Sequence, residues 1–194
     1  MIKDQFLYFA RYPRKEGVLA IFTNGASHTP GYGDIVRELR ELPEDSRIPE
    51  LDNYVYGQSF EDVQQRIDKL IGSYLFVDYG EINLRSDGRN SYQCVQRIAV
   101  TIACKMPNRA DAAERMLASD NTLRLLARLH AHLLADADAG SIGWLARSEL
   151  DKAEIIPFVA TELHSVGWTL MLSCIAPDTL GTHHLYRSFA NQAP

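Results

Sequence analysis

The chain has 194 residues, 46% hydrophobic and 23% charged, with a formal net charge of -5. Such a composition excludes a disordered or coiled-coil protein and fits a domain that buries roughly 70% of the surface its unfolded form exposes. Lysines and arginines are scattered among acids, so no phosphate-tracking surface and no direct nucleic-acid partner are expected.

The opening MIKDQFLYFARYPRKEG lacks the order of a signal peptide, and no apolar run approaches the ~20 residues of a membrane helix. A cytoplasmic protein without a membrane partner is the expectation. FLYFARY and GVLAIFTNG read as short strands joined across the basic turn Pro13–Gly17. HTPGYGD supplies turn residues before a short helix capped by Asp34, with Ile35, Leu39 and Leu42 on its apolar side and Pro43 as its stop. PEDSRIPELDNYVYGQ follows as an extended loop, so residues 1–58 are expected to form an irregular extension or arm packed on the main domain.

The signal sharpens at SFEDVQQRIDKLIG. Ser59 and Asp62 make a capping-box pattern, Val63, Ile67, Leu70 and Ile71 share one helical face, and Gly72 closes the C-terminus. A strand from Tyr74 to Tyr79 comes next, then NLRSDGRNSYQ with the turn signal Asp87-Gly88, then VQRIAVTIACKM, in which Ile98, Val100, Ile102 and Cys104 alternate with polar or small residues. This pattern predicts a long hairpin with a polar tip. Helix is expected from Asn108 to about Gly140, broken near Ser119-Asp120-Asn121 and buried through Leu123, Leu126, Leu129 and Leu133. Strands are expected around Ile142–Arg147, Ile155–Leu163 and Trp168–Ile175, with Gly167 as the turn into the last. The predicted fold is α+β: a mainly antiparallel sheet with helices packed on one face over 59–176, an irregular N-terminal extension, and a flexible tail over 177–194.

Chemistry-bearing motifs are sparse. Gly31-Tyr-Gly33 resembles the front of a dinucleotide fingerprint, but the third glycine and a following βαβ unit are missing. His130 and His132 are two apart on a helix and point to different faces, while His28, His164 and His183-His184 stand without acids or cysteines at ligand spacing; no metal or cofactor is expected. No Gly-x-Ser-x-Gly elbow occurs, and Cys94, Cys104 and Cys174 lie in apolar segments that disfavour a thiolate, as buried thiols of a reducing compartment would. Asp78, Glu81, Glu154 and Glu162 are the carboxylates available for acid/base work, with Asp78 and Glu81, at a strand end, the pair to use if the protein is instead a small enzyme or ligand-binding domain.

The element order from Phe60 to Ile175, carried by FEDVQQRIDKL, YLFVDYGEI, the hairpin into RIAVTIACKMP, the helical stretch and the closing GWTLMLSC, resembles the phage tail-terminator and tail-completion (head-tail joining) proteins. That resemblance implies a non-enzymatic structural protein of a phage or prophage, without an active site. It would form a homo-oligomeric ring at a tail end or head-tail junction, with tail-tube or connector proteins as further partners and the virion as a second location. Sheet edges and the hairpin would carry the contacts, which puts Arg85, Ser86 and Asp87 with Arg89, Asn90 and Tyr92 at the interface. The N-terminal rings Phe6, Tyr8, Phe9 and Tyr12 have two possible fates: they dock on a neighbour or pack into their own domain.

Overall fold

The computed structural model describes residues 2–22, 27–58, 60–86 and 92–177. Its elements are α1 (Ile2–Phe9), α2 (Lys15–Leu19), α3 (Tyr32–Arg40), β1 (Asn53–Gly57), α4 (Phe60–Asp68), β2 (Ser73–Asp78), β3 (Ile82–Ser86), β4 (Tyr92–Lys105), α5 (Ala112–Asp138), α6 (Arg147–Leu150), β5 (Glu154–Ala160) and β6 (Ser165–Pro177). They build the expected α+β fold around one six-stranded sheet ordered β1-β2-β4-β6-β5, with β3 also paired to β4. Every pairing is antiparallel except β1 with β2.

The N-terminal region departs from expectation. FLYFARY is helical, because Gln5, Tyr8, Phe9 and Tyr12 recur at the i, i+3, i+4, i+7 spacing of one helix face and all four are buried. GVLAIF contributes α2 instead of a strand. The stretch expected as an extended loop carries Ile48 and Leu51 into the core and then forms β1. Residues 1–58 therefore supply one sheet edge and a large share of the main core.

Because β1 and β2 are parallel, the chain must cross over between them, and α4 is that crossover. Val63 and Ile67 pack on Val55, Tyr74 and Phe76, whereas the alternate residues Leu75 and Val77 join the core under α5. Helices thus cover both sheet faces, α5 one and α4 part of the other. Gly72 takes φ +80 just beyond α4, as its place in the sequence suggested, but Ile71 is exposed instead of buried. Ser59, the expected cap, lies outside the described residues.

The expected hairpin is present as β3 and β4, and the 14-residue β4 is long enough to pair with β2 along one half and β3 along the other. Asp78 lies opposite Ala99 and Ile82 opposite Gln96, so three residues, 79–81, face only two. This extra residue is a bulge that bends what is otherwise one continuous strand.

α5 runs unbroken through Ser119-Asp120-Asn121. The side chains that signalled a break are used elsewhere: Ser119 accepts the Trp168 indole N–H at 3.0 Å, and Thr122 Oγ1 donates back to the Ala118 and Ser119 carbonyls. Asp111 and Glu114 form a reciprocal capping box at its start. At its end Ser141 N–H bonds the Asp136 carbonyl and Gly140 N–H the Ala137 carbonyl, the paired closure that needs the left-handed Gly140, φ +65. This turn and α6 replace the strand expected over Ile142–Arg147. Gly167 lies inside β6, where an added Cβ would stand 2.1 Å from the Ile102 carbonyl oxygen; the turn before β6 falls at His164, φ 47.

Candidate assembly surface

Asp78 has a structural part in the bulge. Its Oδ1 accepts the Gly80 N–H at 2.9 Å, and an added Cβ at Gly80 would meet the Arg97 carbonyl at 2.4 Å. Burial raises the Asp78 pKa, and the Gly80 hydrogen bond opposes that. Glu81 is exposed and fixes the bulge through its backbone, whose carbonyl accepts from Arg97 N–H at 3.0 Å. The two acids that sequence put forward as an acid/base pair terminate and turn a strand.

The N-terminal rings pack into their own domain. Tyr8, Phe9 and Tyr12 are buried, and Tyr8 and Phe9 meet Trp144 ring to ring. Phe6 is half-buried against Tyr54 and Tyr56. The Tyr8 and Tyr12 hydroxyls lie 2.9 Å apart; Tyr8 donates to Asp136 Oδ2 at 2.7 Å, and Arg47 pairs with the same carboxylate at 2.5 Å while lying over both rings. Burial drives the Tyr8 hydroxyl far above its ordinary pKa and raises that of Tyr12. This cluster ties α1 and the segment after α3 to the C-terminal end of α5, and it has little ring surface left for a neighbour. Sequence reasoning missed Arg47, Asp136 and Trp144, which come together only through tertiary packing.

The surface that remains unexplained by the chain's own packing is elsewhere. Among the described residues β5 is an edge strand bonded only to β6, and Ile155, Ile156 and Val159 on it are 42%, 43% and 66% exposed. Pro157 stands at its centre. The Trp168–Ser119 bonds set α5 beside the strand that pairs with β5, and residues 111–117 ahead of that contact are all exposed, Met116 and Leu117 among them. At the opposite side of the sheet, among the described residues, β3 pairs with β4 alone, and Leu84 is 48% exposed. Of the residues expected at the interface, Arg85, Ser86 and Tyr92 end these two strands, and Asp87, Arg89 and Asn90 lie outside the described residues.

Concave sites offer less. The groove between α1 and the turn after α5, about 440 Å³, is lined by Asp4, Leu7, Tyr8, Arg11, Ser141, Ile142 and Trp144, and the Ser141 hydroxyl donates to the Asp136 carbonyl. His132 packs on the Tyr12 ring, and Gly31 is the exposed, left-handed N-cap residue just before α3. Among the described residues no group of three or more His, Cys, Asp or Glu side chains is placed to hold a metal. Cys94 and Cys174 are buried and Cys104 half-buried, all three as free thiols; burial first, then Glu149, pushes Cys174 up to about 12. No helix among the described residues is long and apolar enough to cross a membrane. Compared with protein-family models, curated proteins and solved structures, the chain matches none.

Proposed function

We propose that this chain is a non-enzymatic structural protein that works by assembling with copies of itself. Its setting, following the resemblance in element order, is a phage or prophage tail end or head-tail junction: made in the host cytoplasm, it forms a ring against tail-tube or connector proteins and is carried into the virion. The observation that carries self-assembly is the β5 edge. An edge strand with three exposed β-branched apolar side chains is a liability in a monomer and a contact in an oligomer. The acid/base alternative has little support, since Asp78 is spent on the bulge.

Light scattering after size exclusion, across a wide concentration range and with negative-stain images of the peak, tests the proposal. A multimeric mass with ring-shaped particles is expected, and Val159→Asp is expected to lower that mass while leaving the fold cooperative. A monomer at every concentration overturns self-assembly.

A further inference from the structure

We infer that neighbouring copies join head to tail, with β5 of one copy occupying the open side of β3 in the next; this rests on the self-assembly proposed above. The backbone pattern points to that pairing. Proline has no N–H, so Pro157, opposite Trp168, sits at a non-hydrogen-bonded position of the β5–β6 ladder. Antiparallel ladders alternate, and the backbone groups of Ile155, Pro157 and Val159 therefore face away from β6. Across the sheet, the Arg97 N–H to Glu81 carbonyl bond sets the alternation of β3: Asn83 and Arg85 face β4, and the backbone groups of Ile82, Leu84 and Ser86 face outward.

Directions and faces also match. β3 opposes β4, β4 opposes β6 and β6 opposes β5, so β3 and β5 run in opposite directions at opposite edges. Ile155 and Val159 share a sheet face with Leu170 and Val166; Ile82 and Leu84 share one with Gln96 and Cys94; both sets lie on the side that α5 covers. A second copy moved sideways and slid along the strands, without being turned over, thus brings an antiparallel β5 against β3 with the α5 layers on the same side; Val159 is level with Cys104 of β4 and Ile82 with Gln96, so the slide is about eight residues, roughly 27 Å. β1 stops at Gly57, opposite Asp78, so the incoming strand continues the line of β1 where β1 itself has ended.

With Val159 opposite Ile82 and Pro157 opposite Leu84, each outward backbone group in the register meets a partner except the Leu84 carbonyl, which faces the proline. On one face Val159 lies opposite Ile82 and Pro157 opposite Leu84, apolar against apolar. Pairing β5 with β5 in the register centred on Pro157 would set Pro157 against Pro157 and leave both their carbonyls without donors, and a register shifted by two residues would leave one carbonyl facing a proline on each copy. Head-to-tail contact uses different patches on the two copies, and a repeated contact of that kind closes into a ring when its rotation permits.

Cysteine cross-linking tests the pairing. In a Cys104→Ser background, Val159→Cys and Leu84→Cys chains are co-expressed and treated with a short bis-maleimide, with each single variant alone as control and light scattering on every sample. Cross-linked pairs from the mixture but not from either chain alone are expected, and a chain carrying both cysteines is expected to give a ladder of linked multimers. An oligomer whose Val159→Cys chains link to one another, or that shows no link between positions 84 and 159, overturns this pairing and leaves self-assembly standing. A monomer overturns both. As an independent readout, Val159→Asp disperses the oligomer and Leu84→Lys in the same chain restores it; failure of the restoration counts against the pairing.

Discussion

At the scale of single residues, the Arg47–Asp136 pair is where charge bears on stability. Burial works against the ionised Asp136, but hydrogen bonds from Arg47 and Tyr8 outweigh it and hold the carboxyl below its usual range. A carboxyl whose folded pKa is depressed stabilises the native state fully above its unfolded pKa, about 3.9, and loses that contribution as pH falls through the lower folded value. Asp136→Asn is therefore expected to cost about 1–2 kcal/mol at neutral pH and progressively less in acid. Urea titrations of both proteins from neutral pH downward check this, and a difference that stays constant into strong acid would remove the charge from the account. Gly167 is the other residue with a sharp expectation. Its missing Cβ lets β6 lie close against β4, where the obstacles at 2.1 and 2.6 Å are backbone atoms, Ile102 O and Ala103 Cα, that cannot swing aside. Gly167→Ala is expected to cost about 3 kcal/mol, read as a lowered denaturation midpoint at unchanged slope.

At the scale of elements, some of the chain was legible and some was not, for physical reasons. The α4 stripe, the β4 alternation and the Leu126, Leu129 and Leu133 stripe of α5 were readable because one face of each meets a core, and period follows burial. The Asp111-x-x-Glu114 box was present in the sequence as a start signal for α5. Ser119-Asp120-Asn121 misled because propensity knows nothing of Trp168, whose indole N–H binds Ser119. β1 was hidden for a similar reason: a five-residue strand paired in parallel leaves no hairpin turn in the sequence to announce it. Of the candidate assembly surface, the hairpin strands were foreseen, whereas the importance of β5 was not. That Ile155, Ile156 and Val159 lie exposed follows from the order of strands in the sheet, which a local pattern does not encode.

At the scale of the whole molecule, charge and apolar surface make different forecasts about assembly. The net charge of -5 sets copies apart, while the exposed part of β5 is apolar apart from Glu154 at its start. Raising salt from about 0.05 to 0.5 M shortens the Debye length several-fold, so it should screen the repulsion and leave the apolar contact intact. The assembled mass is expected to hold or grow over that range in sedimentation or light scattering. Dissociation by salt would mean that ion pairs, not β5, hold the copies together.

The pairing of β4 with β6 has a kinetic consequence. Thr101 and Thr169, whose hydroxyls meet at 2.7 Å in the middle of the sheet, are 68 residues apart in the chain. On a ribosome, β4 emerges long before the strand that completes it, and α5 is free to form in the interval. The nascent chain thus carries β4 without its β6 partner, though with β2 and β3 already made, for several seconds at ordinary synthesis rates of about 5–20 residues per second. A chain interrupted before Ser165 keeps β4 open on the β6 side, so synthesis of Ser165–Pro177 is expected to be the step that separates a folded subunit from an aggregation-prone one.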